Sequence, residues 1–532
     1  MHTIQGKSLR TYSSPVAPLL FSNALPSGSD RPTILSLIAD AEEALRAFDQ
    51  QTATVRAKFA QYLDFHRSLL TPIRLLPEDV LLKIFEHGCV EARSTALDLN
   101  SMPWLLTRVC SHWRSLVRST PTLWRFFRVV DRDCYRYKES RQLEIVGEFL
   151  RLSGQCPLHI SMESADVPFL DILISQGMRW HTATIPLMSY MLDDLPPAAN
   201  FPLLRTVTIM DEPDEDSDDL TSEVDVFQHA PLLTAATIRT ESRSMFKFHA
   251  LTHLTVLCLG NNWGDVVRQL NAVASTLTHC TLSFDDQQGI LGLPPSTDAT
   301  LPHLLSLTVR EPKDFDVSNK DYSHFLGHLT LPSLTSFAFH AFSHYHSIAE
   351  AVVSLIRRSQ CSLTSLEVNS REVTPILNLT SRLTHLTVTS RTIANGNLNC
   401  LVCSNTSSPL VPKLEVLTLD VRPLEFEYHS TAEIISKYVN LIVNIIESRR
   451  LDDVQTLKGG INCLRVVRFL SPEHGNDSLI QNVTARLKKE QEEGLIIEHV
   501  SSEVDVDEAY LSAGPSEEED SSSWTSDSDS NW

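Results

Sequence analysis

The sequence predicts an α/β protein: a long N-terminal helix and a short helical block, followed by an irregular solenoid of strand–helix repeats. Three observations predict it. Apolar residues recur at helical spacing over residues 32–71. A compact helical pattern then occupies 72–127. From about 140 to 500 one short strand-like pattern keeps returning, with helical patterns between its copies. At 532 residues the chain is long enough for several structural units and a large core.

Residues 1–31 are rich in Ser, Pro and Gly and predict a disordered end. Pro32 opens the helical pattern. Leu35, Ile38, Leu45, Thr52, Val55, Phe59, Tyr62, Phe65 and Leu69 recur at three, four or seven, interrupted by Glu42 and Asp49. A stripe of that length predicts a helix that packs back on the next domain; pairing with a partner helix is the alternative. Pro72 ends the helix.

The recurring pattern is Leu-x-x-Leu-x-Leu. It reads as Leu204-x-x-Val207-x-Ile209, Leu254-x-x-Leu257-x-Leu259, Leu277-x-x-Cys280-x-Leu282 and Leu304-x-x-Leu307-x-Val309. It continues as Leu334-x-x-Phe337-x-Phe339, Leu363-x-x-Leu366-x-Val368, Leu383-x-x-Leu386-x-Val388, Leu414-x-x-Leu417-x-Leu419 and Leu464-x-x-Val467-x-Phe469. Weaker copies start at Leu158, Trp180 and Leu233. The last two apolar positions alternate as in a strand, and Pro302, Pro332 and Pro412 precede copies, as befits a strand start. Between copies, Ile348, Val352, Val353 and Ile356 share a helix face, as do Ile434, Tyr438, Leu441 and Ile445. This is the signature of a leucine-rich-repeat solenoid, in which each repeat needs its neighbours to bury its face. The uneven spacing predicts an irregular arc.

Within 72–127, Leu76-Pro77-Glu78-Asp79-Val80-Leu81-Leu82-Lys83-Ile84-Phe85 is followed by Val109-Cys110-Ser111-His112-Trp113-Arg114-Ser115-Leu116 and then Ser119-Thr120-Pro121-Thr122-Leu123-Trp124. The combination resembles an F-box, and the layout is similar to the expanded set of F-box proteins of mushroom-forming fungi. Pro77 suits the first turn of a helix, where its missing N–H is not needed. Val80, Leu81, Ile84 and Phe85 would form one apolar face, and Leu105, Leu106, Val109, Cys110, Trp113 and Leu116 a second. The resemblance implies a surface for the Skp-type adaptor of an SCF ubiquitin ligase on Leu76, Pro77, Val80, Leu81, Ile84, Phe85, Val109, Cys110 and Trp113. Residues 87–103 form a longer link between the halves than a compact box has.

Charge bounds the partners. The net charge is −21, from 66 acidic and 45 basic residues, which disfavours nucleic acid and anionic membrane. Residues 501–532 hold ten acids and no Lys or Arg, a pattern that predicts a disordered acidic tail in which Ser516, Ser526 and Ser528 suit acid-directed kinases. Nine acids in the fifteen residues 211–225 predict an exposed insertion. No signal peptide or membrane-length apolar run is present, so a cytoplasmic or nuclear protein with reduced thiols is expected.

Catalytic signatures are missing. There is no phosphate-binding loop with Lys, no His-Glu-x-x-His and no Gly-x-Ser-x-Gly. Cys400-Leu-Val-Cys403 has metal or redox spacing but lacks a second ligand pair, Gly459-Gly460 reads as a turn, and His340, His344 and His346 read as a repeat loop. No metal, cofactor or enzymatic activity is therefore expected. The resemblance implies a substrate-recognition adaptor whose F-box docks on the Skp-type adaptor and cullin while the repeats bind a protein target. A repeat-based scaffold that joins no ligase is the alternative. Residues between the inward leucines would line the substrate face: Thr208, Cys258, Thr308, Ala338, Glu367, Thr387, Thr418 and Arg468, with Glu367, Thr387 and Thr418 as leading candidates.

Overall fold

The structure is a computed structural model. It describes residues 15–20, 26–68, 72–91, 95–130, 137–163, 168–188, 201–212, 223–240, 245–258, 263–284, 297–310, 322–340, 348–368, 373–389, 397–403, 410–421, 432–450, 462–471 and 477–501. The chain divides into two compact units, residues 1–85 and 86–532.

In the first unit, helix α1 spans Asp30–Ser68, 39 residues. Its start is fixed by Ser27, whose N–H and Oγ–H donate to Asp30 Oδ2 at 2.9 and 2.6 Å. These bonds hold the Asp30 carboxyl below its usual range. The apolar stripe is where the periodicity placed it, yet it is uncovered: Leu45 is 62 % exposed and Phe59 67 %. Helix α2, Glu78–Glu91, follows and crosses the division between the units.

The second unit is built on one fourteen-stranded parallel sheet whose strands lie in chain order. They are β1 Phe126–Val129, β2 Leu158–Met162, β3 Trp180–Met188, β4 Thr206–Glu212, β5 Ala235–Thr240, β6 His253–Cys258 and β7 His279–Phe284. Then come β8 Ser306–Arg310, β9 Ser336–His340, β10 Ser365–Val368, β11 His385–Thr389, β12 Val416–Asp420, β13 Val466–Ser471 and β14 Ile496–Ser501. The sheet thus starts at Phe126, ahead of the expected 140. Parallel neighbours in strict order require every connection to return the chain to the same end. Helix α3, Ser111–Arg118, precedes β1, and five helices make returns between strands: α4 Glu139–Leu152, α5 Trp263–Ala272, α6 Ala349–Ser359, α7 Ala432–Ser448 and α8 Asp477–Arg486.

Alternation explains the core. In β8, β9 and β10 every second residue is buried: Leu307 and Val309, Phe337 and Phe339, Leu366 and Val368. Aligned registers stack these side chains strand on strand, Leu307 beside Phe337 beside Leu366 beside Leu386. Helices contribute their apolar faces, such as Val352, Leu355 and Ile356 of α6. In the seventh strand's neighbour, β6, the repeat starts three residues before the predicted one. Leu251, Leu254 and Val256 are buried, and Leu254 lies opposite Cys280 with Val256 opposite Leu282. The outward position of that copy is therefore Thr255, not Cys258. Leu251, Leu254 and Leu257 are evenly spaced, so the pattern fits twice and only the neighbouring strand decides.

Among the described residues the most deeply buried charged side chain, Arg449, is tied down by carbonyls. Arg449 is buried and donates to the carbonyls of Leu401, Val411 and Leu410 at 2.9, 3.1 and 2.8 Å, clasping the segment before β12 to the end of α7. Burial lowers its pKa. No described helix is long and apolar enough to cross a membrane.

Candidate functional site

Two regions carry the residues singled out above: the helical block around α2 and α3, and the outward face of the sheet.

Pro72–Leu75 form one tight turn in which Leu75 is 84 % exposed. The Pro77 carbonyl then accepts from the N–H groups of Val80 and Leu81 at 3.1 and 3.0 Å, so Pro77 starts α2 as its chemistry suggests. Along α2, Leu81, Phe85 and Cys89 recur every fourth residue and are buried, whereas Val80, Ile84 and Val90 are exposed. Pro77, Val80 and Ile84 share the outer face at spacings of three and four. Leu76 is half-buried. Leu81 and Phe85 are corrected: at about 2 % exposure their side chains are core, since a helix that packs on one side must bury one stripe. Burial, with Glu86 beside it, pushes the Cys89 thiol up to about 11, which makes it a packing group and not a nucleophile.

The second half differs from one continuous helix. A single turn, Leu106–Val109, stops at Cys110, which is extended (φ −157°, ψ 171°), and α3 begins at Ser111. Cys110 Sγ accepts the Trp113 N–H at 3.4 Å and so caps α3. Leu106 and Val117 are buried, Trp113 and Leu116 half-buried, and Leu105, Val109 and Cys110 exposed, Val109 at 56 %. The supposed link is largely structured. α2 continues to Glu91, and Thr95, Ala96 and Leu97 are buried, with the Ala96 N–H donating to the Arg128 carbonyl of β1 at 2.6 Å. Trp104 donates to the Ala96 carbonyl at 2.8 Å and meets Trp124 edge-on at 4.7 Å. Trp124 in turn donates to the Val117 carbonyl at 2.9 Å and packs on Phe149 of α4. Arg118 of α3 pairs with Glu148 of α4 at 2.6 Å. The second half is thereby fastened to the first strands of the sheet, an attachment through Trp104 and Trp124 that the sequence pattern did not announce.

On the sheet, the central outward position forms a row. Thr184, Thr208, Thr237, Thr255, Thr281 and Thr308 are register neighbours in six consecutive strands. Ala338, Glu367, Thr387, Thr418, Arg468 and Glu498 continue it. Glu367 and Thr387 are half-buried, as outward groups in a sheet are, and His340 Nδ1 lies 3.6 Å from Glu367 Oε1. Arg468 pairs with Glu498 at 2.5 Å. Thr418 is corrected: it is 8 % exposed, because β12 is buried along both faces, Val416 and Asp420 included. It is not a surface group.

One row nearer the strand starts, imidazoles recur. The His253 and His279 rings stack at 4.4 Å, nearly parallel, and each Nδ1 is hydrogen-bonded at 2.9 Å to the hydroxyl of the preceding Thr252 or Thr278. Burial, with His279 adding, lowers the His253 pKa. His159 is driven down to about 4 by burial, with His181 and Arg125 adding to the shift. This face is a floor of hydroxyls and imidazole rings with few charges.

Among the described residues no group of three His, Cys, Asp or Glu is placed to hold a metal ion. Cys400 and Cys403 are half-buried beside Arg449, and burial raises the Cys400 pKa. Gly459-Gly460, His344, His346, the centre of the acidic insertion and the acidic tail lie outside the described residues. No protein-family model matches the chain, and no curated protein is similar to it.

Proposed function

We propose that this chain is the substrate-recognition adaptor of an SCF-type ubiquitin ligase, its F-box docking on the Skp-type adaptor and a leucine-rich-repeat solenoid holding a protein target. The observation that carries the reading is the apolar surface left on the motif residues. Leu75, Val80 and Ile84 in the first half, and Leu105 and Val109 in the second, are exposed although each half buries its own inner stripe. Exposed apolar groups on each half of one short sequence motif mark candidate interaction surfaces. The repeat reading is supported by strands in chain order, all parallel, with the same buried pair in β1 to β13.

The chemistry would be proximity. An adaptor holding a target near a ubiquitin thioester raises the local concentration of target lysines, and no residue of the chain acts on the bond itself. The hydroxyl-rich sheet face suits a protein surface and offers no basic stripe for phosphates.

Co-purification tests this. The tagged full chain should bring down a Skp-type adaptor and a cullin, and Val80→Glu with Ile84→Glu should lose both while keeping the wild-type melting temperature. Failure of the wild-type chain to bring down either, or undiminished capture by the variant, overturns the reading.

A further inference from the structure

We propose that α1 is a self-complementary docking surface that joins two copies of this chain as an antiparallel pair of helices. The proposal concerns the first unit alone and is independent of the ligase reading.

Helix α1 carries a sustained seven-residue repeat. Ile38, Leu45, Thr52, Phe59 and His66 occupy its first position, and Ile34, Ala41, Phe48, Val55 and Tyr62 its fourth. That is the seam of a coiled coil. At 39 residues, on the order of 58 Å, the helix carries this seam along nearly its whole length. From Ile38 to Leu63 every large apolar residue is exposed. A monomer rarely leaves such a continuous stripe in water.

Self-pairing is favoured by fit and by charge. In antiparallel pairs a first-position residue meets a fourth-position residue of the other helix. One register seats Ile38 on Tyr62, Ala41 on Phe59, Leu45 on Val55 and Phe48 on Thr52, each pair summing to residue number 100. Small Ala41 and Thr52 thus receive the two phenylalanines. The flanking fifth positions then place Leu35 against Leu63 and Glu42 against Arg56, twice by symmetry. Among the described residues neither the Glu42 carboxylate nor the Arg56 guanidinium has an ion-pair partner within the chain. Moving the register by one repeat one way sets Phe48 on Phe59, with Arg56 against Asp49 and Glu42 left against Leu63, and the other way sets Glu42 against Asp49. A parallel pair sets Glu42 against Leu37 and Arg56 against Gln51, with no opposite charges meeting. The favoured register has one like-charged contact, Asp49 with its own copy at the dyad. Two copies joined this way would carry two sheet faces, so a bivalent target would be held by avidity.

Sedimentation of the full chain over a wide concentration range tests the pairing, with circular dichroism confirming that each variant folds. The wild type should dimerise, and Leu45→Glu should be monomeric. Glu42→Arg alone and Arg56→Glu alone should each weaken the dimer by about tenfold, and an equimolar mixture of the two should recover wild-type affinity as a mixed dimer. Asp49→Asn should tighten it. A wild-type monomer throughout, a mixture no tighter than its components, or a weaker Asp49→Asn dimer would each overturn the proposal.

Discussion

Helix α1 and the strands of the sheet carry apolar side chains at equally regular spacing, and the structure treats them in opposite ways. Leu386 of β11 is fully buried, with Leu366 and Leu417 on either side of it. Leu45 of α1 is mostly exposed. The difference is supply. Each strand is followed by another with the same pattern in register, so every repeat covers the one before. The chain contains one α1. A periodic apolar stripe is a demand for a partner, and only repetition guarantees that the partner is in the same chain.

The largest effect that would sharpen this contrast comes from the stacked row. Leu386→Ala and Leu417→Ala should each cost about 2–5 kcal/mol in denaturant unfolding, through the cavity left between neighbouring strands. A smaller loss would mean that the repeats can collapse around a gap. Next, Thr418→Arg should cost about 1–3 kcal/mol, since the side chain enters a closed space, while Thr387→Arg one strand away should leave the melting temperature nearly unchanged. Equal behaviour of the two would show that β12 is open on its outward side.

Acid should act through the imidazole row. His159 titrates at about 4 in the fold against about 6.5 when unfolded. Above pH 6.5 it is neutral in both states and contributes nothing. Between about 6.5 and 4 the unfolded chain takes a proton that the folded chain refuses, so stability falls as pH falls through that window and levels off below it. His159→Gln should reduce this slope in a series of melting curves; an unchanged slope would assign it to other groups. The smallest effect belongs to α1. Leu45→Gln, at dilutions where the chain is monomeric, should change unfolding free energy by no more than about 0.5 kcal/mol. A loss as large as that of Leu386→Ala would show that the stripe is covered within its own chain.

Much of the molecule was legible in the sequence, because strand alternation and helix periodicity are local properties. The strands around Leu307, Phe337, Leu366 and Leu386 were placed correctly, with their outward neighbours. Helix α1 was placed within two or three residues at either end, Asp30 and Ser68 against the expected 32 and 71. Other assignments depended on what lies opposite. The evenly spaced leucines at 251, 254 and 257 allow two registers, and the row set by Cys280 and Leu282 selects one. Periodicity put Val80, Leu81, Ile84 and Phe85 together, and packing on one side split them into an outer pair and a buried pair.

By itself, then, the sequence determined the order of elements, the parallel repeat and the position of most apolar stripes. Tertiary structure decided which stripes are satisfied: the strands by one another, half of α2 by the core, both faces of β12, and none of the middle of α1. The physical reason is that period fixes which residues share a face, while burial depends on whether another surface of matching shape reaches that face.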